Sequence, residues 1–288
     1  DTIYARIFAQ VTNSGFMAVP LFVFMGGMLE KSGIAQRMYE SLYISFGKFR
    51  GGLAVVTIII ATLMAACIGV IAASVSMLTL VALPVMIKRG YDKGLATGSI
   101  CAGGTLGILI PPSIMLILYG PAAWISVGKL FMAAFGPGFM LSFMYIIYIV
   151  VRSFLQPSVA PAITDEENRY TAVEKLLLVM KSLLPTLFLI LSVLGVIYFG
   201  IAAPTEAAAV GAVVSVLLTI AYRRFSWQGL KEVAVSTLKL TGMVLLIASC
   251  STAFVSVFLG GGGGEVVSNF ILNFPGGKWS VFTLVMVI

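Results

Sequence analysis

Long apolar runs separated by short polar segments make up most of this 288-residue chain. A helix needs about 20 consecutive apolar residues to cross the hydrocarbon core of a bilayer. Runs near or above that length lie at 16–29 (extended by the preceding segment), 97–120, 130–151, 176–199, 203–222 and 240–260. Residues are 60% hydrophobic and 10% charged, against roughly 25% charged in an ordinary soluble domain. The pattern therefore predicts an all-α polytopic membrane protein that has the lipid bilayer as its solvent.

Basic residues are concentrated in alternate connections between these runs. Fifteen of the eighteen lysines and arginines fall in four segments, and the other three, Arg6, Lys129 and Lys278, fall in the connections between them. Lysine- and arginine-rich loops stay on the cytoplasmic side of a membrane. The net charge of +7 thus indicates orientation and gives no reason to expect nucleic-acid binding.

The apolar run 53–87 begins and ends beside cytoplasmic basic residues, Arg50 and Lys88. A single span cannot return to the side that it left. Two connected spans would have arms of only about 15 to 17 residues, short of a full crossing. Small and hydroxyl-bearing residues at 67–76 separate the arms, so the pattern favours a re-entrant hairpin at 51–89. Two short spans joined by an outer turn are the alternative.

Residues 103–113, GGTLGILIPPS, interrupt the apolar run 97–120 with glycines, two prolines and hydroxyl groups. This composition predicts a broken helix. Inside a bilayer every backbone N–H and C=O needs a partner, so a break is tolerated only where it is buried in protein or lines a polar cavity. Secondary transporters bind ions and anions at such breaks, which makes this segment a candidate binding site.

A short internal repeat divides the chain. The sequence FRGG at 49–52 precedes one apolar run, and FPGG at 274–277 precedes another. By the charge assignment the first copy enters from the cytoplasm and the second from outside, which makes the repeats inverted, as in secondary transporters. We expect a first repeat at 1–152, a cytoplasmic linker at 153–174, and a second repeat at 175–288 that stops within its own hairpin.

Side chains that commonly carry catalysis are scarce. The chain has no histidine, its cysteines at 67, 101 and 250 lie singly in apolar stretches, and no phosphate-binding P-loop sequence occurs. We expect no enzymatic activity, no transition metal and no cofactor apart from coupling ions. Glu206 is the one carboxylate within a predicted span, which makes it a functional candidate, but the preceding Pro204 favours a helix cap.

Three spaced motifs resemble the large (M-type) membrane subunit of tripartite ATP-independent periplasmic (TRAP) transporters, in the wider ion-transporter superfamily. They are LPVMIKRGYDKGLATG at 83–98, GTLGILIPPSIMLILYG at 104–120 and APTEAAAVGA at 203–212. The resemblance covers essentially the whole chain and implies that it is part of a longer protein. It also implies an inverted-repeat, elevator-type transporter in the bacterial inner membrane that takes up an organic acid. Expected partners are a small (Q-type) membrane subunit and a periplasmic substrate-binding protein.

The resemblance further implies a sodium site between the hairpin tip and the break. Sodium is a hard cation that favours oxygen ligands, and each proline frees a carbonyl four residues earlier. Carried onto this sequence, the ion ligands would be Gly69, Ser74, Ser76, Thr105, Gly107, Pro111 and Ser113. Ala73, Gly104 and Pro112 are candidates for the substrate cavity. For each of these residues, close helix packing is the alternative reading.

Two other functions stay open at this stage. A sodium- or proton-coupled anion carrier of the same superfamily would work without a binding protein and share the hairpin and the broken helix. A non-transporting scaffold or pore-forming subunit would need no ion site. Sodium dependence and the requirement for a receptor discriminate between these alternatives.

Overall fold

The computed structural model describes residues 2–46, 49–161, 171–275 and 277–287, and these contain helices but no strand. The predicted all-α class is therefore confirmed. The α-helices are α1 (Thr2–Val11), α2 (Ala18–Ser32), α3 (Ile34–Phe46), α4 (Gly52–Ile68), α5 (Ile71–Lys88), α6 (Lys93–Leu109), α7 (Ile114–Ala122), α8 (Val127–Leu155), α9 (Ala172–Tyr198), α10 (Pro204–Ala221), α11 (Trp227–Gly260), α12 (Gly263–Leu272) and α13 (Gly277–Val287). A short 3-10 helix, Ser14–Met17, precedes α2.

Six helical segments in the described ranges are long and apolar enough to cross a membrane, and a seventh is added if the two N-terminal helices form one span. Four of the six, Val127–Leu155, Val173–Tyr198, Pro204–Ala221 and Trp227–Gly260, correspond to predicted runs. A fifth, Lys93–Ala122, is the broken helix formed by α6 and α7. Residues 162–170 of the predicted linker 153–174 lie outside the described residues.

The chain divides into two compact bodies. One comprises residues 14–241, from the 3-10 helix to the first part of α11, and holds the hairpin and the broken helix. The other comprises the N-terminal residues to Asn13 together with the chain from Gly242 onward. Within this second body a hydrogen bond joins the side chains of Gln10 and Thr252.

Helices α4 and α5 lie side by side and antiparallel, an arrangement that fits both the predicted re-entrant hairpin and the alternative of two short spans. A Cβ built on Gly103 of α6 would lie 2.7 Å from Cβ of Ala61 on α4 and 3.7 Å from a methyl of Leu78 on α5. Nearer the base of the hairpin, the Thr57 hydroxyl lies 3.8 Å from the Met86 sulfur. The arms contain 17 and 18 residues, slightly more than predicted, and are about 26 Å long at 1.5 Å per residue.

The base of the hairpin is closed by hydrogen bonds from the connecting segments. The backbone N–H of Leu53, at the start of α4, donates to the Tyr91 hydroxyl over 3.2 Å. The chain after α8 returns to the same place, because Gly51 N–H donates to the Ala160 carbonyl and Asp92 N–H donates to the Val159 carbonyl. Hairpin and broken helix are thereby fixed together at their shared end.

Helices outside the hairpin form a second packed group in the same body. Helix α2 packs along α10, where a Cβ on Gly211 would lie 2.6 Å from the Met25 sulfur. The Thr219 hydroxyl donates to the Met28 carbonyl at 3.2 Å. This group meets the hairpin at Gly26, whose added Cβ would be 2.8 Å from Cα of Ile68.

The order of elements around α2 recurs around α11. Helix α2 is followed by Gly33 at φ +71°, then by α3, by Gly51 at φ +78° and by α4. Helix α11 is followed by Gly262 at φ +83° and by α12, and α13 begins at Gly277, which has φ +76°. A positive φ favours glycine, and Gly277 aligns with Gly52, the first residue of α4, in the repeat of FRGG and FPGG. This recurrence supports the internal repeat, whereas its inversion in the membrane stays a prediction.

Candidate functional site

The tip of the hairpin is a two-residue turn at Gly69 and Val70. Gly69 adopts φ +63° and donates its N–H to the Ala65 carbonyl at 3.4 Å, which ends α4. Val70 is extended and begins α5. A Cβ on Gly69 would lie 3.0 Å from the Pro112 carbonyl oxygen. The turn needs glycine both for its backbone conformation and for the close approach of the break.

The break in the second helix comprises Ile110, Pro111, Pro112 and Ser113, all of them buried. The Ile110 N–H still donates to the Leu106 carbonyl at 2.8 Å, and a cis peptide bond joins the two prolines. Proline has no N–H, so Pro111 and Pro112 cannot donate to the carbonyls four residues earlier. The carbonyl of Gly107 is therefore deprived of its ordinary helical donor.

Hydrophobic packing holds the break against the hairpin. Ile110 belongs to a buried cluster with Ala65 and Ala66 of α4 and Leu106 of α6. On the other side, a Cβ on Gly138 of α8 would lie 2.8 Å from the Ile110 side chain. The break is thus buried in protein, as the bilayer requires of irregular backbone.

Glycines on α6 allow α5 to approach closely. A Cβ on Gly104 would collide with a methyl group of Val75 and lie 3.2 Å from its backbone nitrogen. One turn further, a Cβ on Gly107 would lie 3.4 Å from the Ser74 hydroxyl oxygen. Ser74 consequently faces the segment of α6 that leads into the break.

Two buried hydroxyl groups at this contact lack hydrogen-bond partners within the part of the chain that the structure describes. They belong to Ser74 and Ser113, whose residues are 1% and 0% exposed. Ser113 immediately precedes α7, yet its side chain does not cap that helix. Burying a hydroxyl without a partner costs about 1–3 kcal/mol. Buried polar groups without a partner are rare in native proteins, and each calls for an explanation.

The polar groups near this contact are neutral oxygens. The available donors are the hydroxyl groups of Ser74 and Ser113 and the carbonyls released by the two prolines. Oxygen donors of this kind suit alkali and alkaline-earth cations rather than transition metals. In the described ranges, no group of three or more His, Cys, Asp or Glu side chains is placed to hold a metal ion.

Comparison with known proteins identifies the family. The family "Tripartite ATP-independent periplasmic transporter, DctM component" matches residues 1–288. The chain belongs to the DctM family.

DctM proteins from several bacteria are similar to this chain. The C4-dicarboxylate TRAP transporter large permease protein DctM of Pseudomonas aeruginosa is 34% identical over 255 residues, which is 88% of this chain and 58% of that protein. The protein of the same name from Rhodobacter capsulatus is 30% identical over 303 residues, which is 99% of this chain and 67% of that protein. The ectoine TRAP transporter large permease protein TeaC of Halomonas elongata is 30% identical, over 88% of this chain and 58% of that protein. The chain thus spans about three-fifths to two-thirds of the length of these relatives.

In this DctM-family chain the structure brings together only some of the predicted ion ligands. Gly69, Ser74, Gly107 and the Pro111–Pro112–Ser113 segment meet at the tip–break contact, and the Pro112 carbonyl is the atom nearest to Gly69. Ser76 is exposed on α5. Thr105 is exposed on α6, and its hydroxyl donates to the Ala102 carbonyl at 2.7 Å. The structure therefore gives Ser76 and Thr105 no place in this contact.

The remaining predicted residues have separate surroundings. Gly104 packs against Val75, as described above, and Ala73 lines a cavity beside the tip. Glu206 accepts a hydrogen bond from the Ala203 N–H at 3.0 Å at the start of α10. This contact is that of a helix cap, the alternative that the sequence favoured for Glu206.

Sequence reasoning missed two further polar contacts. Tyr91 closes the hairpin base, and Lys31 of α2 forms an ion pair with Glu232 of α11 at 2.7 Å. The partners of that pair are 201 positions apart, and no spacing pattern in one sequence relates residues so distant. A signal for Tyr91 exists, because a tyrosine directly after the Arg89–Gly90 turn is placed to reach back to the hairpin.

Proposed function

We propose that this chain is the greater part of the permease subunit of a TRAP transporter, one that takes up an organic anion together with sodium ions. The proposal includes delivery of the anion by a periplasmic binding protein and assembly with a small membrane subunit in the bacterial inner membrane. Family membership and the six apolar spans support the transporter role. The names of relatives, for C4-dicarboxylates and for ectoine, support a small carboxylate-bearing substrate.

The observation that carries sodium coupling is the pair of unpartnered, buried hydroxyl groups of Ser74 and Ser113. A monovalent cation bound there would satisfy both without introducing a buried carboxylate. The carbonyl of Gly107, freed by Pro111, adds a further oxygen on the same side of α6. We propose these three residues as the core of one sodium site, with the backbone of Gly69 and Pro112 forming its wall.

The packing also supports a moving unit. Helices α4, α5 and α6 are joined through Gly103, Gly104 and Gly107, and the base is closed at Tyr91. The group formed by α2 and α10 touches the hairpin where Gly26 meets Ile68. We propose that hairpin and broken helix move as one block along α2, which carries the bound ion and substrate across the membrane.

Uptake by the full-length protein tests the proposal. The complete transporter is reconstituted in proteoliposomes, and uptake of a panel of radiolabelled carboxylates is measured with sodium, potassium or proton gradients, with and without the receptor. We expect uptake that requires both inward sodium and the receptor. Receptor-independent uptake would instead indicate a carrier of the wider superfamily. Uptake at the same rate with and without a sodium gradient would contradict the coupling proposal.

A further inference from the structure

A cavity of about 240 Å³ lies beside the hairpin tip, and no residue of the break lines it. It is bounded by α2, by Val70 and Ala73 of the hairpin, and by α11. Since a water molecule takes about 30 Å³ in the liquid, the cavity has room for a cation with several waters. All of its lining residues lie within the body formed by residues 14–241.

Charged side chains line this cavity unevenly. Lys31 Nζ and Glu232 Oε2 form an ion pair at 2.7 Å, and both side chains are about half exposed. Glu30 adds a second carboxylate to the lining. Two carboxylates and one ammonium group give the lining a net negative charge at neutral pH. A cleft with one dominant sign of charge concentrates ions of the opposite sign, which here are cations.

Thr237 gives an independent indication of a ligand. It lines the cavity and is 8% exposed, and its hydroxyl has no hydrogen-bond partner among the described residues. Threonines in helices commonly donate to the carbonyl four residues earlier, as Thr57, Thr62 and Thr79 do here. The Thr237 hydroxyl does not, so this buried oxygen is available to a cation or its water shell.

The cavity and the tip–break contact involve neighbouring residues of the hairpin tip. Ala73 lines the cavity, whereas the next residue, Ser74, faces Gly107. Val70 also lies next to both features. It lines the cavity, and its backbone nitrogen lies 3.9 Å from a Cβ built on Gly107. Residues of the hairpin tip thus contribute both to the cavity lining and to the contact with α6.

We propose that this cavity is a cation vestibule, in which Glu30, Glu232 and Thr237 receive the coupling ion from the hairpin tip and pass it to the cytoplasm. The proposal rests on the sodium site proposed above. Lys31 belongs to the basic segment assigned to the cytoplasmic side, so the vestibule opens to that side. Lys31 opposes cation accumulation there, whereas Glu30 promotes it.

Thiol accessibility in the full-length transporter tests this role without measuring transport. Ala73→Cys is made in a protein in which Cys101 and Cys250 are serine, and the introduced thiol is treated in inside-out vesicles. Two methanethiosulfonate reagents of similar size are used, one cationic and one anionic. We expect the cationic reagent to react faster, with the ratio of the two rates falling roughly threefold to tenfold in Glu30→Gln. Lys31→Gln should shift the ratio in the opposite direction.

Additional variants and salts distinguish an ion path through the cavity from a purely structural role of its charged residues. Glu40→Gln, an exposed carboxylate on α3, is the matched control and should leave the ratio unchanged. Sodium chloride should slow modification more than potassium chloride does, and Thr237→Val should weaken that protection. Equal rates for both reagents, or changes of the same sign in Glu30→Gln and Lys31→Gln, would overturn the vestibule. Charge effects without protection by sodium would also overturn the vestibule, whereas the sodium site at the tip fails only if Ser74→Ala and Ser113→Ala leave sodium binding unchanged.

Discussion

Gly69 at the tip of the hairpin lies directly against the carbonyl of Pro112 in the break of the second helix. The two residues are 43 positions apart, yet a Cβ on Gly69 would come within 3.0 Å of that oxygen. This contact brings two irregular backbone segments together inside the protein, where each helps to bury the other. The unpartnered hydroxyls of Ser74 and Ser113 lie on the two segments that meet there.

Gly69→Ala should destabilise the protein. The left-handed φ of +63° costs a residue with a Cβ about 1–2 kcal/mol, and the new methyl group would press on Pro112. We expect a lower melting temperature of the detergent-solubilised full-length protein and weaker stabilisation by sodium. Gly195→Ala is the control, because that glycine is helical and a Cβ there meets nothing within 4 Å. An unchanged melting temperature for Gly69→Ala would contradict the tip geometry.

The approach of α5 to α6 should depend on Gly104. A methyl group at this position collides with Val75, so Gly104→Ala should lower the stability by about 1–3 kcal/mol. Val75→Ala removes the obstructing methyl groups and should restore part of the loss when combined with Gly104→Ala. A double-mutant cycle in unfolding experiments measures this coupling. Additive effects of the two substitutions would show that the residues are not in contact.

Tyr91→Phe should open the base of the hairpin. It leaves the buried N–H of Leu53 without its acceptor, at a cost of about 1–3 kcal/mol. Tyr119→Phe, which removes the hydroxyl of an exposed tyrosine on α7, should have little effect. Hydrogen–deuterium exchange should show faster exchange at the start of α4 only in Tyr91→Phe, and equal protection in both variants would refute the contact.

The same hydroxyl predicts a pH dependence. Burial raises the pKa of Tyr91 to about 12, although the hydrogen bond from Leu53 lowers it. In the unfolded chain a tyrosine titrates near pH 10. Because the pKa of Tyr91 is raised in the folded state, the stabilisation by its neutral hydroxyl is fully present below about pH 10. That stabilisation is lost as the pH rises through about 12. The stability difference between wild type and Tyr91→Phe should thus stay constant from about pH 6 to pH 9. A difference that decreases within that range would contradict the buried, neutral phenol.

Replacing Pro111–Pro112 by Ala–Ala should abolish sodium-coupled uptake. The alanines restore two N–H donors to the carbonyls of Gly107 and Ile108 and favour a continuous helix. Insertion into the membrane should persist, since the span keeps its length and its apolar composition. Pro185→Ala, within α9 and outside the site, is the matched control. Full sodium-driven uptake by the Ala–Ala variant would show that the break is not part of the ion site.

The apolar pattern located the break and the turn between α4 and α5, because length, glycine and proline suffice to locate them, whereas the re-entrant placement of the hairpin stays a prediction. The pattern did not distinguish Ser74 and Gly107, which lie at the tip–break contact, from Ser76 and Thr105, which are exposed. Helix α5 begins at Ile71, so Ser74 and Ser76 lie about 200° apart around a helix with 3.6 residues per turn. One faces α6 and the other is exposed. The composition of 67–76 predicts one irregular tip, whereas residues from Ile71 onward are helical and face in different directions.

The hydrophobic pattern could not predict contacts between distant segments, for a different reason. The Lys31–Glu232 pair and the cavity beneath it depend on the packing of α2 beside α11, which is determined by tertiary structure. Here a Cβ on Gly27 would lie 2.9 Å from the Val233 side chain. Single-sequence periodicity describes the buried face of each helix but not the identity of its neighbour.

Equilibrium sodium binding tests the central claim most directly. Purified full-length protein is titrated with sodium chloride at constant ionic strength, and the melting temperature is recorded for wild type, Ser74→Ala, Ser113→Ala and Ser215→Ala. The last is a buried serine whose hydroxyl donates within its own helix to Ala212. We predict that sodium stabilises wild type and Ser215→Ala equally, and that Ser74→Ala and Ser113→Ala each need about tenfold more sodium for the same shift, the loss of about 1.4 kcal/mol of binding free energy. Identical sodium dependence in all four proteins would contradict a sodium site between the hairpin tip and the break.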